Sequence, residues 1–125
     1  MANELSLTVT LNYTPSVTTQ VALAPAKFTS TVSMSGADHL QGTQNVGTSW
    51  EVLNVGEITT RGYCLVKNLD TTNYVELNSD DAPTNACIRL NAGEFTLFRC
   101  GQVNANLRGR ANTATVNIQF WYFEA

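Results

Sequence analysis

The stretch GYCLVKNLDTTNYVELN, residues 62–78, contains the clearest strand signals of the chain. Residues 62–69 are mostly apolar, residues 70–72 supply turn formers, and residues 73–78 alternate between apolar and polar side chains. A short apolar run bounded by turn residues indicates an interior β-strand, and alternation indicates a strand with one wet face. The stretch therefore predicts two β-strands joined by a tight turn.

Similar runs extend in both directions. In chain order, the predicted strands are residues 4–13, 27–34, 50–54, 62–69, 73–78, 87–90, 94–100, 103–108 and 114–123. Residues 35–47 and 109–112 are predicted to connect strands, and residues 16–26 are predicted to be a loop or a poor edge strand. Residues 87–100 are expected to form a hairpin, with Gly93 at positive φ in its turn. Turn signals recur at roughly ten-residue spacing, and no long segment has helical periodicity. We therefore predict an all-β fold, an antiparallel β-sandwich of jelly-roll-like topology with eight to nine strands.

The domain organisation follows from length and from one proline. A chain of 125 residues is close to the usual size of one domain, so residues 1–125 are expected to form a single β-sandwich. Pro15 ends the first alternating run, and a loop follows it. Residues 1–15 are therefore predicted to be an N-terminal strand or arm that could exchange between subunits.

Composition excludes several classes of protein. Charged residues are only 14% of the chain, while Thr and Asn number 17 and 13. Thr favours strands and Asn favours turns, so a helical bundle is disfavoured. The net charge of −3 argues against a sequence-independent grip on phosphates, and no apolar stretch is long enough to cross a bilayer as a helix. We expect no membrane partner and no direct nucleic acid partner, and the N-terminus shows no signal peptide.

The three cysteines do not form a disulfide framework. Their number is odd, and no C-x-x-C pair occurs among Cys64, Cys87 and Cys100. Each lies in a strand-like run, which indicates three reduced, buried thiols. One disulfide beside one free thiol remains an open alternative.

No cluster of residues in the sequence indicates a catalytic reaction. The single histidine, His39, rules out histidine-rich zinc sites, and it lies beside glycines in a predicted loop. Asp80 and Asp81 could hold a hard cation, but their spacing differs from that of an EF-hand, and a polar turn explains them as well. We expect no catalytic, metal-binding or cofactor-binding residues, and the protein is not expected to be an enzyme.

Some aromatic and basic side chains are candidates for an interface. The last strand becomes apolar on both faces, so Trp121 and Phe123 either contact a partner or are covered by this chain. Arg99, Arg108 and Arg110 form the only basic concentration in the sequence. Four aromatic residues could instead stack on a glycan, although core positions explain them too: Trp50, Tyr63, Tyr74 and Trp121.

One part of the chain resembles a known family. Residues 62–70 form a strand that ends in Asn-x-Asp, and residues 73–77 continue with Val-x-Leu. Residues 88–94 then read I-R-L-N-A-G-E and residues 95–99 read F-T-L-F-R. This pattern resembles the small β-sandwich structural proteins of tailed bacteriophages, of the head decoration (cement) and tail-accessory type.

The resemblance implies a virion structural protein without catalytic groups. Decoration proteins commonly form homotrimers on the outside of a shell, so it implies a capsid decoration protein that binds the major capsid protein and is assembled in the host cytoplasm. Two alternatives remain open. One is a tail or baseplate structural protein of the same kind of virion, and the other is a carbohydrate-binding β-sandwich module.

Overall fold

A computed structural model describes residues 3–16, 23–79, 83–100 and 106–124. The chain divides into two compact units, Met1–Ser35 and Gly36–Ala125. No helix able to span a membrane is found within the described ranges. The fold is all-β, as predicted, and the expectation of one domain with an exchangeable arm at residues 1–15 stays a prediction.

Ten strands run through the described residues, compared with the eight or nine predicted. They are β1 (Asn3–Tyr13), β2 (Leu23–Met34), β3 (His39–Val46), β4 (Glu51–Val52), β5 (Arg61–Asn68), β6 (Val75–Asn78), β7 (Ile88–Leu90), β8 (Phe95–Arg99), β9 (Arg108–Ala111) and β10 (Val116–Glu124).

The first unit contains an antiparallel hairpin of β1 and β2. The strands stay in register from Asn3 opposite Met34 to Leu11 opposite Ala26, and the register then shifts before Tyr13. The extra residue of this bulge lies in β2, next to Pro25. A proline has no N–H to donate to the ladder, and a bulge is where a strand tolerates one. β2 therefore begins at Leu23, before the predicted strand at 27–34, in a segment for which the sequence left both a loop and a poor edge strand open.

The second unit is a two-sheet sandwich with jelly-roll topology. One sheet has the order β3-β10-β5-β8 and the other the order β4-β9-β6-β7. The pairings β3 with β10, β4 with β9, β5 with β8 and β6 with β7 are nested, as if one long hairpin had been wrapped around a common core. This arrangement confirms the predicted antiparallel sandwich.

The core of the sandwich draws on both sheets. Its fully buried side chains include Val46, Leu53, Val66, Val75, Leu77, Val116, Ile118 and Tyr122. On β5 the alternate residues Cys64, Val66 and Asn68 are buried. β5 also lies between β10 and β8, so the prediction of an interior strand is confirmed.

The prediction of a connection at residues 35–47 is wrong, because most of it is β3. This strand pairs with β10 along its whole length, from Val46 opposite Val116 to His39 opposite Phe123. Gly42 in this strand was interpreted as a sign of a connection. A side chain at Gly42 would begin 3.2 Å from the ring of Phe120, so the small residue makes room for an aromatic neighbour rather than a turn.

Two more predictions need correction in the second half of the chain. Gly93 has a φ of 76°, as predicted, but β7 pairs with β6 and β8 pairs with β5. The turn therefore carries the chain from one sheet to the other and closes no hairpin. Residues 109–112, predicted as a turn, largely form β9, where a side chain at Gly109 would begin 3.1 Å from Leu53. Of the predicted strand at 103–108, residues 103–105 lie outside the described residues, and of the other three only Arg108 belongs to a strand, β9.

Candidate functional site

The predicted aromatic interface residues lie on a central strand. β10 is bordered by β3 and β5, and Trp121 pairs with Gln41 on one side and with Leu65 on the other. Trp121 and Phe123 are both half-buried and alternate with the buried Phe120 and Tyr122. The two residues therefore lie on the outward face of this sheet rather than at a free edge.

The three arginines of the predicted basic concentration are split between the two sheets. Arg99 ends β8, is exposed, and lies with its guanidinium carbon 5.6 Å from the centre of the Tyr63 ring. Arg108 and Arg110 belong to β9 in the other sheet. The basic concentration in the sequence is therefore not one basic patch on the structure.

Arg110 belongs to a polar network on the β4-β9-β6-β7 sheet, which we call the arginine ladder. Arg110 Nε lies 2.7 Å from Glu76 Oε2, and Arg89 Nη2 lies 3.3 Å from Glu76 Oε1. The guanidinium of Arg110 lies over Trp50, 4.7 Å from the ring centre, and that of Arg89 lies over Tyr74 at 3.7 Å. One carboxylate thus holds two arginines, and each arginine covers one aromatic face.

The register of three strands places this network. Glu76 of β6 is opposite Arg89 of β7 on one side and opposite Arg110 of β9 on the other. Opposite charges in directly paired positions attract each other across a sheet. A polar depression of about 240 Å³ lies beside the ladder, lined by Thr48, Tyr74, Glu76, Arg110, Ala111 and Asn112.

Removing the central carboxylate tests the contribution of the ladder to stability. Because both arginines are partly exposed, we expect Glu76→Gln to lower the free energy of unfolding by only about 1 kcal/mol, and the melting temperature by about 4 °C. The loss should shrink at high salt, since screening weakens exposed ion pairs. Thermal melts compare this variant with Glu57→Gln, an exposed glutamate in a turn. Equal melting temperatures for the two variants would contradict the assigned role.

The hairpin of the first unit has one apolar and one polar face. The mainly apolar face carries Leu5, Leu7, Val9, Leu11, Tyr13, Ala26, Phe28, Val32 and Met34, with the hydroxyl residue Ser30 opposite Leu7, and the polar face carries Glu4, Ser6, Thr8, Thr10, Asn12, Lys27, Thr29, Thr31 and Ser33. Several apolar side chains are open to solvent: Val9 is 48% exposed, Leu11 52%, Tyr13 56% and Phe28 65%. We call this surface the hairpin face.

A buried cluster of reactive groups lies at one end of the β10-β5-β8 sheet, and we call it the thiol cluster. It contains Arg61 and Cys64 of β5, Cys100 directly after β8, and Tyr122 of β10, which is opposite Cys64. All four are buried, and Cys100 is placed by the hydrogen bond that its N–H donates to the Gly62 carbonyl, at 2.9 Å. Nε and Nη1 of Arg61 and the hydroxyl of Tyr122 are buried without a hydrogen-bond partner among the described residues.

The two thiols of this cluster are hydrogen-bonded to each other, and their acidities are driven apart. The hydrogen bond with Cys64 and, after it, the charge of Arg61 lower the pKa of Cys100 to about 6, against the opposing effect of burial. The same hydrogen bond, together with burial, raises the pKa of Cys64 far above its usual value. The Cys64 thiol is therefore the hydrogen-bond donor and the Cys100 sulfur the acceptor, and the pKa of Cys100 is the one that is lowered.

The sequence interpretation missed this cluster. It expected three buried thiols, but Cys87 is exposed, and nothing in the sequence linked Arg61 to the other two cysteines.

His39 is exposed at the start of β3, and Glu94 Oε2 accepts a hydrogen bond from the Asn91 N–H in the turn before β8. No group of three metal-ligating side chains occurs in the described part of the chain, and Asp80 and Asp81 lie outside it.

The described residues thus define an all-β protein, a jelly-roll sandwich with a two-stranded hairpin as a separate unit. Comparisons with protein-family models, with curated proteins and with solved structures find no match for the chain.

Proposed function

We propose that this chain is a virion structural protein, a capsid decoration protein that binds the outside of a shell and stabilises contacts between capsomers. The observation that carries the proposal is the hairpin face, an apolar surface open to solvent on a two-stranded sheet. Large exposed apolar patches mark surfaces that other molecules cover. The resemblance of roughly residues 48–123 to phage decoration proteins supports the virion setting, and jelly rolls are common among capsid proteins.

The apolar side chains of the hairpin face need to be buried against another surface, because a two-stranded hairpin is only marginally stable alone in water. Burying the exposed parts of Val9, Leu11, Tyr13 and Phe28 would contribute about 1 kcal/mol for each side chain. That gain is large enough to decide whether the hairpin persists. We infer that folding of the hairpin is coupled to assembly.

Identical copies of this chain suit the hairpin face. Its apolar positions include no charged residue, so copies can meet there without like-charge repulsion. Two facing hairpins would leave their sides open, since each face is about 10 Å wide and packed sheets lie about 10 Å apart. Three hairpins around one axis would enclose all three faces. This geometry supports the homotrimer that the sequence resemblance implies.

The solution mass of the purified chain tests the proposal, measured by light scattering behind a sizing column. We expect a mass near three times 13.6 kDa, followed by co-sedimentation with shells assembled from the major capsid protein of the cognate phage. A monomer at every concentration that also fails to co-sediment would refute the proposal. Co-sedimentation with isolated tails in place of shells would favour the tail or baseplate alternative.

The carbohydrate-binding alternative has one specific observation in its favour. The polar depression beside the arginine ladder offers hydroxyl, amide, carboxylate and guanidinium groups next to Tyr74, which is a common chemistry for sugar recognition. However, the guanidinium of Arg89 already occupies one face of that ring. Binding on a glycan array that is lost in Tyr74→Ala would favour this alternative over the decoration protein.

A further inference from the structure

The thiol cluster has no role in the proposed assembly, and the chemistry of its two cysteines does not depend on that assembly. Cys64 and Cys100 lie on neighbouring strands and face the same side of the sheet, because Cys64 is opposite Phe98 and the Cys100 N–H bonds to the carbonyl of Gly62. Diagonal neighbours of this kind are about 7–8 Å apart, which is far for two short side chains, and the hydrogen bond between the two thiols is what brings their sulfurs together.

Arg61 supplies the second observation. Its side chain is only 6% exposed, and two of its guanidinium nitrogens are buried without a hydrogen-bond partner among the described residues. A buried, unpaired cation is costly unless an anion lies nearby. A Cys100 thiolate would be that anion, since the charge of Arg61 acts on Cys100 directly. Glu124, opposite Arg61 on β10, instead accepts a hydrogen bond from the Thr59 hydroxyl at 3.2 Å.

Cys100 also borders a space that a small oxidant could enter. A cavity of about 190 Å³ is lined by Leu77, Asn78, Ser79, Cys87, Ile88, Phe98, Arg99, Cys100 and Leu107. This volume is several times the share of one water molecule, about 30 Å³ in the liquid, so hydrogen peroxide or a small organic hydroperoxide fits. Cys87 and Cys100 both border the cavity and Cys64 does not, so within the Cys64–Cys100 pair Cys100 is the thiol that meets the oxidant.

We propose that Cys64 and Cys100 are a redox-active pair that a hydroperoxide converts into a disulfide, with Arg61 as the counterion of the Cys100 thiolate. The Cys100 sulfur attacks one oxygen of the hydroperoxide, the O–O bond breaks, and the leaving alkoxide or hydroxide takes a proton from water. Cys100 becomes a sulfenic acid. The Cys64 sulfur then attacks the Cys100 sulfur, and the S–O bond breaks as an S–S bond forms. The Cys64 proton leaves with the departing hydroxide as water.

The overall reaction consumes two thiols and one hydroperoxide, and it yields one disulfide, one alcohol or water, and one further water. The oxidant gains the two electrons that the two sulfurs lose. The product would join β5 to the end of β8 covalently. Because such a link restricts the unfolded chain, we expect the oxidised protein to melt roughly 10 °C above the reduced protein.

The test uses the full chain with Cys87→Ser, which removes the exposed competing thiol. After treatment with hydrogen peroxide we expect the intact mass to fall by two hydrogen atoms, no thiol to react with iodoacetamide in denaturant, and digestion to give peptides that join residues 64 and 100. The rate should depend on pH with a midpoint near the Cys100 pKa of about 6. In the unsubstituted chain, Cys87 is exposed and lines the same cavity, so its oxidation reports that the oxidant reaches this cavity.

Two variants separate the steps. Cys64→Ser should halt the reaction at the sulfenic acid of Cys100, which dimedone traps, and Arg61→Gln should slow oxidation about tenfold while Arg61→Lys restores much of the rate. If Arg61→Gln does not fold, the pH midpoint in the Cys87→Ser protein carries the test. Two results would overturn the proposal. One is a pair that stays reduced under conditions that oxidise Cys87, and the other is a pH midpoint at the ordinary thiol value.

Discussion

Replacing Asn68 by alanine is expected to lower the free energy of unfolding by about 4 kcal/mol, the largest loss that we expect from one substitution in the sandwich. The side chain is completely buried at the end of β5. Its Nδ2 donates to the carbonyls of Asn73, Leu90 and Asn91 at 2.9, 3.1 and 3.1 Å, and its Oδ1 accepts the Asp70 N–H at 2.8 Å. Alanine would remove the partner of the buried Leu90 carbonyl and the partners of the part-buried Asn73 carbonyl and Asp70 N–H, while the Asn91 carbonyl would keep its hydrogen bond from the Glu94 N–H.

Thermal or urea melts measure this loss, with Asn117→Ala as the matched control. Asn117 is an exposed asparagine on the neighbouring β10, and its replacement should change stability by less than about 0.5 kcal/mol. Asn68→Asp keeps the volume of the side chain but loses the donors, so at pH 7 it should destabilise at least as strongly as alanine. A loss in Asn68→Ala no larger than in Asn117→Ala would show that the four hydrogen bonds contribute little.

The residue patterns of the strands illustrate which parts of the fold the sequence can predict. Alternation and apolar runs predicted β1, β5 and β10, because these strands show one or two apolar faces directly in their residue pattern. The pattern failed for β3 and β9, whose glycines admit large neighbours in the core and were interpreted as turns. A glycine with negative φ in a strand and one in a turn look the same in a sequence.

Pairing between strands was harder to predict than the strands themselves. The turn at Gly93 has the positive φ expected from its sequence, yet the strands beside it belong to different sheets. Turn chemistry controls the local backbone path, whereas the choice of partner strand depends on the whole core. For the same reason the arginine ladder could not be predicted, since Glu76 and Arg110 meet only through the register of β6 and β9.

The thiol cluster shows the same limit at the level of chemistry. Each cysteine alone looked like a buried strand residue, and the sequence separates Arg61 and Cys64 from Cys100 by more than thirty positions. The pairing of β5 with β8 brings the three residues together. The buried Arg61 lies just beyond a register irregularity between β5 and β10, which occurs next to Tyr122. By contrast, the hairpin face could be predicted in part, because the alternation of residues 4–13 already separates its apolar side chains from its polar ones.

The second large effect is expected from a charge on the hairpin face. Phe28 is its most exposed large side chain, at 65%, and it lies directly opposite Val9. In a trimer, Phe28→Asp would place three carboxylates in an enclosed apolar core, where each unpaired charge costs several kcal/mol. We expect this variant to be monomeric by light scattering, and the sandwich of residues 36–125 to keep its melting temperature, since that unit has its own core.

Thr29→Asp is the matched control because it adds the same charge one residue further along β2. Thr29 lies opposite Thr8, on the polar face of the hairpin, so its replacement should leave the oligomer intact. The comparison separates the effect of the altered face of the hairpin from the effect of the added charge, because both variants have the same net charge and alter the same strand. Dissociation by both variants would point to general repulsion between subunits, and dissociation by neither would place the subunit contacts elsewhere. Only loss of the oligomer in Phe28→Asp alone agrees with assembly through the hairpin face.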